Sequence, residues 1–163
     1  MIRAAEESDL PQILAIYNEV IRNSTAVYTE EPLTLEDRQA WFAGRRAQGF
    51  PILAAVDERG GQVLGFASFG DFRAWPCYRH TVEHMVHIHA DARGQGRGRQ
   101  LIEALFPYAR AQGKHVMVAG IDADNAASIA LHKKLGFDQV AHFREVGFKF
   151  GRWLDLVFLQ RVL

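Results

Sequence analysis

A chain of 163 residues, 48% hydrophobic and 23% charged, has the makeup of a globular protein, and its length suits one domain, 1–163, burying roughly 70% of its unfolded surface. Nineteen basic side chains match nineteen acidic ones, which argues against a nucleic acid or an anionic membrane held by a long-range field. Cys77 is alone and "MIRAAEESDLP" places acids where a secretory signal would be apolar, so a cytoplasmic protein without an internal disulfide is expected.

"MIRAAE" reads as a short strand. Ser8 or Asp9 then caps a helix entered through Pro11, with Leu10, Ile13, Leu14, Tyr17, Val20 and Ile21 as its apolar stripe. "TLEDRQAWFAGRRAQG" is a second helix, opened by a capping box from Thr34 to Asp37 and stopped at Gly49. "FPILAAVDERGGQVLGFASFGDF" predicts a hairpin around Arg59-Gly60-Gly61, and "TVEHMVHIHA" the next strand. A helix near residues 97–112 contains Pro107, which deletes a backbone donor and predicts a kink. A strand, "HVMVAGIDA", a helix, "NAASIALHKKLGF", and two strands, "VAHFREVGFKF" and "RWLDLVFLQRVL", complete a mixed α/β chain. Trp41, Phe42, Phe66 and Phe69 are assigned to the core, and Cys77 to a small packed position.

The stretch "ARGQGRGRQLIEAL", residues 92–105, is rich in glycine and arginine, as a phosphate cradle would be. A Walker loop is excluded, because Arg99 and Gln100 follow Gly98 where Lys and Ser or Thr are needed. A dinucleotide fingerprint is disfavoured: the spacing is G-x-G-x-G, and Asp122 and Asp124 lie too far along. A tight, solvated strand-to-helix turn remains, as does a Q/R-x-x-G-x-G pattern running from Arg93 to Gly98.

That pattern resembles the pyrophosphate loop of the GNAT superfamily of N-acetyltransferases, and "NAASIALHKKLGF" is similar to the superfamily's N-x-x-A/S-x-x-L-Y-x-x-x-G-F block. The resemblance implies a GNAT acyltransferase fold, a mostly antiparallel twisted sheet splayed between its fourth and fifth strands and flanked by about four helices. It implies that acetyl-CoA is the co-substrate. Backbone N–H groups of Arg93, Gly94, Gln95, Gly96 and Gly98 would turn towards its pyrophosphate at a helix N-terminus, with Arg97 and Arg99 adding paired donors. Val86, His87 and Ile88 would pair with pantetheine as an added strand and polarise the acetyl carbonyl. Asn125 would cap its helix or bond pantetheine, Ser128 and His132 share its face, and Lys134 completes the coenzyme set.

"VYTEEP", "FGDFRAWPCYRHTVEHMVHIH" and "GFKFGRWLDLVFLQRVL" look like the phosphinothricin and methionine sulfoximine acetyltransferase branch, over nearly the whole chain. This implies acetyl transfer to the α-amino group of a small amino-acid-like substrate by a homodimer, without a metal. An ammonium must lose a proton before it attacks a thioester, and Glu83 is the candidate base, through water; otherwise Glu83 is a strand carboxylate paired with a nearby His or Arg. Many superfamily members carry Tyr where His132 stands, which leaves the acid for the thiolate open. Arg73 suits a carboxylate or phosphinate, with Trp75 and Tyr28 walling an aliphatic side chain and Tyr78 and Arg79 alongside. Arg79 pairing with an acid, and Trp75 packing a turn before Pro76, are the plainer readings. Trp153 or Phe150 anchors a partner subunit, or closes its own sheet. Two other functions stay open: acetylation of a protein or peptide N-terminal amine, and a metal-binding module of His80, His84, His87 and His89. Strand alternation sets the last two histidines on one face and the first two on the other, without a tight zinc spacing.

Overall fold

The computed structural model describes residues 1–57, 59 and 61–163. In chain order the elements are β1 (Ile2–Ala4), α1 (Leu10–Asn23), α2 (Leu35–Ala47), β2 (Ile52–Val56), β3 (Val63–Asp71), β4 (Thr81–Ile88), α3 (Arg97–Ala111), β5 (Val116–Asp122), α4 (Ala126–Lys134), β6 (Asp138–Lys149) and β7 (Arg152–Val162). The strands form one sheet in the order β1-β2-β3-β4-β5-β7-β6. All neighbours are antiparallel except β4 and β5, whose parallel pairing needs a crossover that α3 supplies. The pair is short: Thr81, Val82 and Glu83 face Val116, Met117 and Val118, and beyond them the two strands part. The mixed α/β sheet and its splay are thus as expected.

Both faces of the sheet are covered, which is why β2 and β3 read as nearly continuous apolar runs. Phe69, Val82, Leu101, Leu105 and Phe137 belong to one core, under α3 and α4; Ile13, Phe42 and Phe66 belong to the other, under α1 and α2, with Trp41 and Met85 packed against it. Alternation along β4 therefore sends Val82 and His84 to one side and Glu83, Met85 and His87 to the other. Among the described residues no helix is long and apolar enough to cross a membrane.

The capping box forms as read: Thr34 Oγ1 accepts from Asp37 N at 3.1 Å, and Thr34 N donates to Asp37 Oδ2 at 2.8 Å. Gly49, at φ +75°, ends α2. Three expectations need correction. Asp9 does not cap α1 with its side chain; its carboxylate accepts from Arg3 at 2.7 and 2.9 Å and from Glu6 N at 2.8 Å, stapling the strand to the helix entry. The stripe of α1 takes in Ile16 and leaves out Leu14, while Tyr17 is half-buried and packs against the core as expected. Cys77 is exposed, since the short 3-10 turn Pro76–Tyr78 has no buried residue. The predicted hairpin closes with Val56 opposite Val63, but Gly60 of its turn lies outside the described residues. Helix α3 runs through Pro107 to Ala111.

Candidate active site

Where β4 leaves β5, the edge of β4 from His84 to Ile88 has no ladder partner on that side, an unpaired backbone edge open to an extended ligand. Two cavities open there. The larger, about 860 Å³, runs between the end of α1, the end of β4, the glycine loop and the start of α4. The smaller, about 240 Å³, lies in the splay itself. Ala26, Val86, His87, Asn125 and Ser128 line both, so the two communicate.

The glycine loop is shaped to hold an anion. Gly94 and Gly96 sit at φ +74° and +77°, a region that side chains resist, and Gly96 is the N-cap of α3 with no side-chain hydrogen bond. The first amides of a helix have no intrahelical acceptor, so those of Arg97, Gly98 and Arg99 face outward with the positive end of the helix dipole. Arg93, Gly94, Gly96, Arg97, Gly98 and Arg99 all line the larger cleft, and Arg97 Nε is buried without a partner. These donors fit the pyrophosphate of coenzyme A. Two coenzyme candidates stand apart from the lining. Gln95 spends its amide on Asp91 O at 3.1 Å. Lys134 is exposed at the end of α4, six positions and so about 240° around the helix from Ser128. Asn125 does cap α4, its Oδ1 accepting from Ser128 N at 3.1 Å.

Glu83 lines the smaller cavity, and its carboxylate accepts no hydrogen bond from the described residues. Burial raises its pKa, against the pull of Arg73 and Arg45. Gly120 of β5 is what makes room for it: a Cβ there would lie 2.9 Å from Glu83 Oε1 and 3.1 Å from the Phe158 ring. A half-buried carboxylate with free lone pairs, opposite a gap in the sheet, is a group able to take a proton.

His132 and His84 stack on the other side of β4, ring centroids 5.0 Å apart, with Nε2 to Nε2 at 3.0 Å. His132 Nδ1 lies 2.7 Å from Ser128 O and must donate to it, so His132 Nε2 accepts and His84 Nε2 donates. Burial lowers the pKa of both; His84, which also feels His132, falls to about 3. His132 is therefore neutral and 1% exposed, with its Nδ1–H given to Ser128 O and its Nε2 turned to His84, and the acid for the thiolate stays open. His87, pushed to about 4 by burial and by Arg38 and Arg93, packs edge-on to Tyr17 at 5.1 Å. The remaining candidates for a metal are dispersed: His80 meets Gly113 O at 2.9 Å, and His89 Nδ1 caps Asp91 N. Among the described residues no three His, Cys, Asp or Glu could hold a metal.

On the acceptor side the structure rearranges the expected set. Arg73 is exposed and lines neither cavity, its guanidinium lies 5.2 Å from the Phe72 ring, and its charge favours the ionised form of Glu83. Tyr78 stacks on that same ring at 6.0 Å. Trp75 is 74% exposed and lines neither cavity; it opens the 3-10 turn Pro76–Tyr78, as the plainer reading had it. Arg79 faces the α3–β5 connection, where its carbonyl accepts from Lys114 Nζ at 2.7 Å. Tyr28 is not a free wall: its hydroxyl donates to Asp155 O at 2.7 Å and lies 3.2 Å from Asp122 Oδ2. Burial and Asp122 raise its pKa.

Two cations near the site carry no mark in the sequence. Lys149 is 1% exposed, and its Nζ donates to the carbonyls of Ile21, Ser24 and Val27 at 2.7, 2.7 and 2.8 Å. It so fixes the segment 24–27, whose residues line both cavities. Arg45 of α2 extends over Gly70 of β3. Both reach across long sequence separations, and nothing local announces them.

Residues 2–158 match the family model described as an acetyltransferase (GNAT) domain. The chain is 55% identical over 159 residues to the L-methionine sulfoximine/L-methionine sulfone acetyltransferase of Pseudomonas aeruginosa, covering 98% of this chain and 92% of that protein. It superposes on a Sinorhizobium meliloti phosphinothricin acetyltransferase in complex with acetyl-CoA with a TM-score of 0.96, at 38% identity, over 100% of this chain and 88% of that one. A ribosomal-protein-alanine N-acetyltransferase from Brucella melitensis matches with a TM-score of 0.97 at 48% identity, over 100% and 99% of the two chains.

Proposed function

The chain belongs to the GNAT acetyltransferase family, and on that premise we propose that it moves acetyl from acetyl-CoA to the α-amino group of a small amino-acid-like acceptor of the methionine sulfoximine or phosphinothricin type. The observation that carries the reading is Glu83: a carboxylate with no hydrogen-bond partner among the described residues, at a small cavity opening into the cleft beside the glycine loop.

Acetyl-CoA brings the acyl group already activated as a thioester. Amides of Arg97, Gly98 and Arg99, with the guanidinium groups of Arg93, Arg97 and Arg99, hold its pyrophosphate. The open edge of β4 at Val86, His87 and Ile88 aligns the pantetheine arm and polarises the acetyl carbonyl. Glu83, through a water, takes a proton from the ammonium and leaves nitrogen a lone pair; a positioned base contributes roughly 10²–10⁴-fold. Arg73, beside Glu83, meets the acid group of the acceptor. His132 and His84 form a neutral wall and assign no protein acid to the sulfur.

The deciding experiment compares methionine sulfoximine with its decarboxylated amine. The acid should be acetylated with far higher kcat/KM, and Arg73→Ala should erase most of that preference while leaving acetyl-CoA binding intact. Equal kcat/KM for the two acceptors would reject this pocket and favour a peptide amine, the acceptor class named for the Brucella melitensis structure.

We further propose a cytoplasmic homodimer. Strand β6 is a sheet edge, and Val140, Phe143, Val146, Phe148 and Trp153 are each at least 44% exposed around it, with Phe148 and Trp153 in contact at 4.9 Å between centroids. A second copy covering this face would hide both apolar surface and the free edge. Light scattering that returns a monomer mass at micromolar concentration would refute it.

A further inference from the structure

We infer that Arg45 is a positioning residue for Glu83: its guanidinium, threaded through the space that Gly70 leaves over the stem of Glu83, favours the charged carboxylate and holds it towards the incoming amine. The inference rests on the reading of Glu83 as the base.

A cation in the last turn of a helix ordinarily points to water and the helix C-terminus. Arg45 does not. Among the described residues its Nε is buried with no partner, and no carboxylate forms a salt bridge with it. Instead the guanidinium fills the position where a side chain at residue 70 would begin: a Cβ on Gly70 would overlap Arg45 Nη1 and Cζ and lie 2.7 Å from Nη2. Gly70 is the cross-strand partner of Glu83, and partner side chains stand on the same face, about 4.5–5.5 Å apart at Cβ. The guanidinium therefore lies over the stem of Glu83. From the opposite side Gly120 admits the carboxylate tip. Glu83 occupies a slot between two glycines, one filled by Arg45 and the other by Glu83 itself.

The surrounding charges leave Arg45 a distinct part. Arg73, from the segment after β3, also favours the charged form of Glu83, but it is exposed and more strongly screened. Asp71, at the end of β3, shares the field of Arg45 with Glu83. Across the smaller cavity stand Tyr17 of α1 and Asp122 of β5, and the neighbours His84 and His87 on β4 are held neutral by burial. Desolvation leaves the Glu83 carboxyl above its ordinary range, with Arg73 and then Arg45 pulling it down; of these two cations Arg45 is the half-buried one, packed over the stem.

The test is the pH profile of kcat/KM for methionine sulfoximine at saturating acetyl-CoA. Glu83→Gln first identifies the limb that belongs to the carboxylate, because that limb should vanish. Removing a nearby cation raises a carboxylate pKa, so Arg45→Met should move the acid limb upward by about one pH unit, with kcat above the limb near wild type. Arg45→Lys should restore much of the shift. Gly70→Ala, which keeps the arginine but evicts its guanidinium, should shift the limb in the same direction, and carries the test if Arg45→Met does not fold. An acid limb unmoved in Arg45→Met or in Gly70→Ala overturns the role of Arg45 while leaving Glu83 as base. A limb that stays at its wild-type pH in Glu83→Gln, as distinct from the rise at high pH as free amine accumulates, overturns the base and this inference together.

Discussion

Replacing Lys149 by Met tests whether one buried ammonium holds the mouth of the site. Its three acceptors close the end of α1 and the segment that follows, and the bond to Ile21 O is buried while those to Ser24 O and Val27 O are partly so. Methionine keeps the length and the packing of the stem but offers no donor. Charge-assisted hydrogen bonds are worth about 1.5–3 kcal/mol each, and a buried carbonyl left unpaired costs about 1–3 kcal/mol. Water can reach the two partly buried carbonyls, so the sum is discounted to about 3–5 kcal/mol. That is a large share of a total stability of about 5–15 kcal/mol, and corresponds to a fall in Tm of about 10 °C for a domain of this size. Because Ser24, Thr25 and Ala26 line the larger cleft, proposed above to take the coenzyme, the KM for acetyl-CoA should rise as well. Lys149→Arg should recover little, since a planar fork cannot converge on three carbonyls as an ammonium does. Urea unfolding followed by fluorescence, together with steady-state kinetics, reads both effects. A loss below about 1 kcal/mol, with unchanged KM, would refute the reasoning.

Glu83→Gln should lower kcat at least about tenfold near neutral pH, with partial recovery at higher pH as free amine accumulates; a wild-type kcat and pH profile would make Glu83 structural. Arg97→Ala with Arg99→Ala should raise the KM for acetyl-CoA by at least about tenfold and that for the amine much less, because phosphate bonds of about 1.5–3 kcal/mol are lost. An unchanged coenzyme KM would remove those arginines from the site. Acid should destabilise the fold through two histidines of β4, one buried and one half-buried. His84 and His87 sit at about 3 and 4 when folded, below the ordinary value near 6.5, so the unfolded chain takes up protons first. Their contribution is complete above about pH 6.5 and is lost as pH falls towards 4, at about 1.4 kcal/mol per unit for each group. Urea unfolding at pH 7.5 and 5.0 should differ by roughly 4 kcal/mol, and a difference below about 1 kcal/mol would show that these rings are not held neutral.

The sequence by itself determined whatever depends on a few neighbouring residues. Thr34 and Asp37 close a capping box because both partners lie within one turn. Gly94 and Gly96 adopt positive φ, and a helix N-terminus follows them, so the shape of this loop was legible in six residues. Alternation in "TVEHMVHIH" separates Glu83 from His84, and that parity holds in the sheet. Tertiary structure decided which partner each polar group found. Tyr28 could as well wall a substrate as bond Asp155 O, 127 residues away, and His132 could face the sulfur or His84, 48 residues away. Lys149 and Arg45 read as ordinary surface cations until the chain returns on itself and brings three carbonyls to one and the empty face of Gly70 to the other. The reason is physical. Backbone conformation and capping are fixed by forces acting within a turn, whereas a buried charge must be matched by whatever the topology carries to it, and here that is set by where β4 and β5 part.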